Sequence, residues 1–108
     1  MSLADQAIVK IHQHLDDGYR PAQLADDLHI SLRTLERGLA DLFDCSPSQL
    51  ITAMKMREAR RLLVTREYRV NEVASRLGFS SPFYFSRRFR TFFGVSPSQY
   101  RQVGQGGG

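Results

Sequence analysis

An internal repeat constrains this chain more than any other feature. The run Leu24-Ala25-x-x-Leu28-x-Ile30-Ser31 returns as Val73-Ala74-x-x-Leu77-x-Phe79-Ser80, 49 positions later. Leu35-x-Arg37-x-Leu39-x-x-Leu42-Phe43 returns as Phe85-x-Arg87-x-Phe89-x-x-Phe92-Phe93, 50 positions later. Ser46-Pro47-Ser48-Gln49 returns as Ser96-Pro97-Ser98-Gln99 at that same offset of 50. The second copy therefore holds one extra residue in its turn, near Ser80-Ser81. Two copies are too few to stack into a solenoid, where several repeats share one continuous core. They describe a module present twice and joined by the segment 47–66.

The apolar spacing is helical almost throughout, with no strand-like alternation. Ala7, Ile8, Ile11 and Leu15 form a stripe on a helix expected to stop at Gly18. Pro21 marks a helix start before Leu24, Ala25 and Leu28. Ser31 is an N-cap for a helix whose Leu32, Leu35, Leu39, Leu42 and Phe43 are expected to face the core. Ser46-Pro47 opens a long helix to about Arg66, with Leu50, Ile51, Met54, Leu62 and Leu63 on its apolar side. Val70, Val73, Ala74 and Leu77 mark a short helix ended by Gly78. Ser81-Pro82 starts the next, with Phe85, Phe89, Phe92 and Phe93 apolar, and Gly94 ends it. Ser96-Pro97 opens a last short helix through Tyr100.

The fold class is all-α, with about seven helices forming two helix-turn-helix subdomains joined by a long central helix. Within one domain over 1–108, the first module spans 5–46, the linker helix 47–66 and the second module 67–102. Residues 103–108, Gly-rich, are read as a flexible tail. Each module has a small residue in its first helix, Ala25 or Ala74, where two helices approach closely. Each needs a turn residue at positive φ: Gly78 in the second copy, and His29 in the first.

Charge separates the copies. Residues 1–54 hold 4 basic and 8 acidic side chains, whereas 55–108 hold 11 basic, ten of them Arg, and 3 acidic. An Arg-rich half is a contact surface for phosphate or carboxylate, because the guanidinium fork grips planar oxyanions. On 100° steps, Arg33, Glu36, Arg37 and Ala40 fall opposite the apolar stripe of the first module's second helix. Phe83, Ser86, Arg87 and Arg90 are the second copy's equivalents. A recognition helix needs such outward groups near its N-terminal half. Arg binds guanine O6 and N7, Glu accepts from cytosine N4, and a Phe packs on a thymine methyl. Ser31, Thr34, Ser80, Ser81 and Tyr84 sit at helix N-termini, where backbone N–H groups favour a phosphate. About twenty helical residues between the modules span about 30 Å, close to the roughly 34 Å between successive major-groove faces.

These strings resemble the AraC/XylS-type DNA-binding domain. The first module carries Arg33-Thr34-Leu35-Glu36-Arg37, Ser46-Pro47 and Arg57-x-x-x-Arg61-Leu62-Leu63. The second carries Val73-Ala74-x-x-Leu77-Gly78-Phe79-Ser80-Ser81-x-x-Tyr84-Phe85-x-Arg87-x-Phe89-Arg90-x-x-Phe93-Gly94-x-Ser96-Pro97-x-x-Tyr100-Arg101. The resemblance covers about residues 5–101. It implies a bacterial transcription regulator, usually an activator, that reads two adjacent major grooves of double-stranded DNA. Arg33, Glu36 and Arg37 would read bases in one, and Pro82, Phe83, Ser86 and Arg87 in the other. Arg88 and Arg90 join the hydroxyl groups as phosphate contacts. RNA polymerase is the implied protein partner. The sequence departs from the family pattern at His29, where Gly is usual, and at Gly38 inside the first recognition helix. Family members commonly carry an N-terminal sensing domain, so the chain is read either as a stand-alone short member or, in preference, as an excised C-terminal domain, monomeric as a fragment.

Other functions have less support. No Ser/His/Asp or Cys/His arrangement is identifiable, so no enzyme and no cofactor are expected. His12 and Asp16, at i, i+4, have the spacing to share a metal but lack further ligands. Cys45 falls at the repeat position of Val95 and is read as core. With one Cys, no leader and no apolar run of membrane length, the expected setting is the reducing cytoplasm, away from membranes. The rival is a helical interaction module whose Arg-rich face binds an acidic partner. Groove reading accounts for the duplicated outward Arg37 and Arg87, which an acidic patch does not require.

Overall fold

A computed structural model describes residues 1–15 and 18–106, with side chains through Gln102. Seven helices and no strand occur among the described residues: α1 Leu3–Gln13, α2 Pro21–Asp27, α3 Leu32–Phe43, α4 Pro47–Thr65, α5 Val70–Arg76, α6 Pro82–Phe93 and α7 Pro97–Gly106. The chain divides into two compact units, Met1–Met54 and Lys55–Gly108. The division falls inside α4, so the expected linker helix contributes its first part to one unit and its remainder to the other.

In the first unit α1, α2 and α3 pack on one another. Their shared core holds Ala7, Ile11, Leu24, Ala25, Leu35 and Leu39, joined by Leu15, Tyr19 and Ile51. Tyr19 stacks on the His14 ring at 4.4 Å and donates its hydroxyl to Asp27. In the second unit α6 packs on α5 and α7. Phe85 and Phe89 are fully buried at the repeat positions of Leu35 and Leu39. Ring contacts run from Phe79 to Phe85 at 5.1 Å, Phe85 to Phe89 at 5.8 Å and Phe89 to Phe93 at 4.7 Å. Tyr100 of α7 closes on Phe89 at 5.8 Å. At the two anchoring positions of the second module helix, the aliphatic pair Leu35 and Leu39 of one unit is replaced by the aromatic pair Phe85 and Phe89 of the other.

The helix-opening chemistry repeats with the sequence. Ser46 and Gln49 exchange hydrogen bonds, Ser46 N–H to Gln49 Oε1 at 2.8 Å and Gln49 N–H to Ser46 Oγ at 3.1 Å. Ser96 and Gln99 do the same at 3.0 and 3.1 Å. Each pair is a capping box that satisfies two otherwise unpaired backbone donors.

Four expectations change. Helix α1 ends at Gln13, well before Gly18, because His14 N–H turns back to the Ile11 carbonyl and the chain leaves the helix there. Helix α7 runs through Gly106 rather than stopping at Tyr100, so the expected tail is helical over 103–106, while 107–108 lie outside the described residues. Ile8, Leu32, Leu42, Phe43 and Phe92 are exposed. Each is covered only in part and leaves 40–53% of its surface to solvent. Cys45 is half-buried rather than core. Asp16, the second member of the considered metal pair, lies outside the described residues.

Candidate nucleic-acid interface

Both modules turn by the same hydrogen-bond pattern. In the first, Ile30 N–H donates to the Ala25 carbonyl and His29 N–H to the Asp26 carbonyl, each at 3.1 Å. In the second, Phe79 N–H donates to Ala74 at 3.0 Å and Gly78 N–H to Ser75 at 3.1 Å. This is the Schellman arrangement, which places the residue after the helix cap in the left-handed region. His29 has φ 58° and Gly78 has φ 79°, as the sequence required. The turn fixes the N-cap of the following helix two residues on in the first module and three in the second.

Ser31 caps α3, accepting from Thr34 N–H at 3.1 Å and donating to Thr34 Oγ1 at 2.9 Å. Ser81 caps α6, accepting from Phe83 N–H at 3.1 Å and Tyr84 N–H at 3.4 Å. The serine oxygens satisfy donors at helix starts, whose dipole still favours an anion. Ser80 is exposed and Ser81 half-buried beside it.

Leu35 and Leu39 anchor α3, and this leaves Arg33, Glu36, Arg37 and Ala40 exposed on the far side. Phe85 and Phe89 anchor α6 in the same way. There Pro82, Phe83, Arg87 and Arg90 are exposed and Ser86 is half-buried. Phe83 shows 82% of its surface, the most exposed aromatic residue of the chain. Tyr84 leans on Phe79, with ring centroids 6.0 Å apart, and Arg88, one turn further, is half-buried on that flank. Glu36, Arg33, Arg37 and Arg87 make no ion pair among the described residues, so each outward charge is available to an external partner.

The flank explains Gly38. A Cβ on Gly38 would overlap Leu3 Cδ2 of α1. The glycine read as a cost to the first recognition helix is where α1 comes close to α3. Position 88, its repeat equivalent, carries Arg instead.

Several cations of the second unit are committed internally. Arg101 donates from Nε to the Leu63 carbonyl at 2.9 Å and from its guanidinium to the Tyr68 carbonyl. It ties α7 to the end of α4 and to the loop before α5. Arg61 bonds Glu58, and that hydrogen bond and charge raise its pKa above the ordinary value. Lys55, Arg60 and Arg76 lie over the rings of Phe79, Phe93 and Tyr68. Sequence reasoning missed Arg101. The signal was available, since its repeat equivalent is the buried Ile51.

A family model described as a helix-turn-helix domain matches residues 24–103. The chain is 35% identical to the HTH-type transcriptional regulator CdhR of Pseudomonas aeruginosa over 98 residues, 91% of this chain and 29% of that protein.

The chain belongs to the AraC-type helix-turn-helix family.

This AraC-type domain is also 35% identical to the HTH-type transcriptional activator RhaS of Escherichia coli, over 85% of this chain and 33% of RhaS. It thus spans about a third of the length of these relatives. Among solved structures it is similar to the DNA-binding domain of AdpA, a global transcriptional factor crystallised with a target DNA. The TM-score is 0.83 and the identity 35%, covering 94% of this chain and 90% of that one. The C-terminal domain of AraT, a response regulator from Geobacillus stearothermophilus, gives a TM-score of 0.87 at 30% identity, over 95% of this chain and 86% of AraT's.

Proposed function

We propose that this AraC-type domain is the DNA-reading part of a bacterial transcription regulator, binding a specific duplex sequence through α3 and α6. The observation that carries this is the pair of serine-capped helices, each with an exposed Arg at the repeat-equivalent position, Arg37 and Arg87. Arg33, Glu36 and Arg37 read one stretch of major groove, and Pro82, Phe83, Ser86 and Arg87 read the next. Ser31, Thr34, Ser80, Ser81, Tyr84, Arg88 and Arg90 hold phosphates. AdpA's domain, similar over nearly the whole chain, is seen with DNA, which supports the reading. RhaS is named an activator, which supports activation and hence a contact with RNA polymerase. The role is one of binding rather than catalysis, exercised in the cytoplasm where the bacterial chromosome lies. The domain acts on DNA as a monomer, with one polypeptide supplying two unequal faces.

Selection of bound duplexes from a random library, followed by footprinting, tests this. The expected outcome is one asymmetric site of about 15–20 base pairs per chain, as two groove contacts one turn apart require. Recovery of only inverted repeats bound by dimers removes the monomer reading. Binding without sequence preference, or to acidic proteins in place of DNA, removes the DNA-reading assignment.

A further inference from the structure

We infer that Phe83 reads the 5-methyl group of a thymine, so that the two halves of the DNA site differ at the base pair contacted by this position. The inference rests on the DNA-reading role proposed above.

A single exposed apolar side chain is ordinary on a protein surface. Phe83 is distinguished by its place. It is 82% exposed, no ring lies against it among the described residues, and its backbone N–H is held by Ser81. It is the second residue of α6, one turn before Arg87 on the outward side of the helix. Its repeat equivalent is Arg33, whereas Arg87 is matched by Arg37. The modules therefore share the reading Arg and differ where Arg33 is replaced by Phe83, as they also do where Glu36 is replaced by Ser86.

The chemistry of the difference is sharp. Arg33 offers a fork of donors that suits guanine O6 and N7. A phenyl ring offers no hydrogen bond. Set against a purine edge or cytosine N4, it strips water from polar atoms and gives nothing back. The one apolar group in the major groove is the thymine methyl. Phe83 and Arg87 are separated by about 6 Å along the helix axis. With base pairs about 3.4 Å apart, they reach positions one or two steps from each other. The second half-site is thus a thymine within two steps of a guanine, and the first replaces that thymine with guanine.

The test begins with the selected site. Each thymine in turn is replaced by deoxyuracil, which removes only the methyl, and Kd is measured for the wild-type chain and for Phe83→Ala. The expected result is one thymine, in the half read by the second module, whose replacement weakens wild-type binding about threefold to fivefold, the value of one buried methyl. Phe83→Ala binds the two duplexes equally. At that position 5-methylcytosine is bound better than cytosine by the wild type alone. Wild-type binding that is sequence-specific yet indifferent to every uracil overturns the role of Phe83 and leaves the DNA-reading role standing. Failure to bind any duplex specifically overturns both. A uracil effect that Phe83→Ala retains assigns the methyl to another side chain and overturns the role of Phe83.

Discussion

Two left-handed turn residues show how one backbone demand is met differently by two side chains. His29 and Gly78 hold the same place in their turns, at φ 58° and 79°. For an L side chain this region costs roughly 1–2 kcal/mol, while Gly gives back about 0.5–1 kcal/mol through its larger unfolded-state entropy. Gly78→Ala is therefore expected to destabilise by about 1 kcal/mol, and His29→Gly to leave stability unchanged or raise it by up to about 1 kcal/mol. Urea titrations of the two variants measure both signs. The outward arginines differ in surroundings rather than in geometry. Arg87 sits in the unit that carries 11 basic and 3 acidic residues, and Arg37 in the one with 4 and 8. Phosphate attraction supplies much of the affinity for DNA. Arg87→Ala is expected to weaken binding more than Arg37→Ala, each by roughly 1–3 kcal/mol where the contact is bidentate. Titrations at fixed salt, with circular dichroism to confirm helicity, check the order. Loss of binding in Arg37→Ala with none in Arg87→Ala would make the acidic unit the principal reader.

At the scale of elements, the repeat preserves the openings of helices and varies what they pack against. The Ser-Gln boxes of α4 and α7 are the same, but α7 meets its unit through Arg101 where α4 uses Ile51. Arg101 takes a carbonyl near the end of α4 and one in the following loop. A charged hydrogen bond contributes about 1.5–3 kcal/mol, and a half-buried acceptor left alone is a further cost. Arg101→Met, which keeps the aliphatic stem, is expected to destabilise the chain by about 2 kcal/mol and to speed amide exchange in α7 first. Hydrogen exchange followed by residue checks this; uniform protection in the variant would show that α7 is held by Tyr100 and its ring neighbours alone. The limits of the sequence are plain here as well. Caps, turns and helix order depend on a few adjacent residues, and the sequence shows them directly. The stop of α1 at Gln13 is a backbone turn, His14 N–H to the Ile11 carbonyl, that no side-chain pattern announced, and α7 continues through Gly-rich residues that carry no apolar spacing.

For the whole molecule the charge inventory leads to a measurable slope. With Arg101, Arg61, Lys55, Arg60 and Arg76 engaged internally, Arg57, Arg66, Arg69, Arg87, Arg88 and Arg90 remain outside any ion pair among the described residues. About five phosphate contacts give a slope of log K against log salt of about −4 to −5. Affinity measured between 50 and 200 mM salt, roughly the range over which such slopes are read, tests it. A slope near zero would place the basic unit off the phosphate backbone.

The repeat, the all-helical periodicity, the serine caps and the two positive-φ turn positions were all present in the sequence, because each is settled by residues within one or two turns of the chain. So was the outward face of Arg33, Glu36 and Arg37, and of Phe83 and Arg87, since helical phase follows from a buried pair such as Leu35 and Leu39. Tertiary structure alone decided how far the apolar stripes are covered. Leu32, Leu42, Phe43 and Phe92 have the right phase and still meet water, because burial needs a second element to arrive and not only a first to point. It also decided that Gly38 is a point of approach for Leu3 and that Arg101 is a tie. Both depend on partners far away in sequence, 35 residues in one case and 38 in the other, brought close only by the fold.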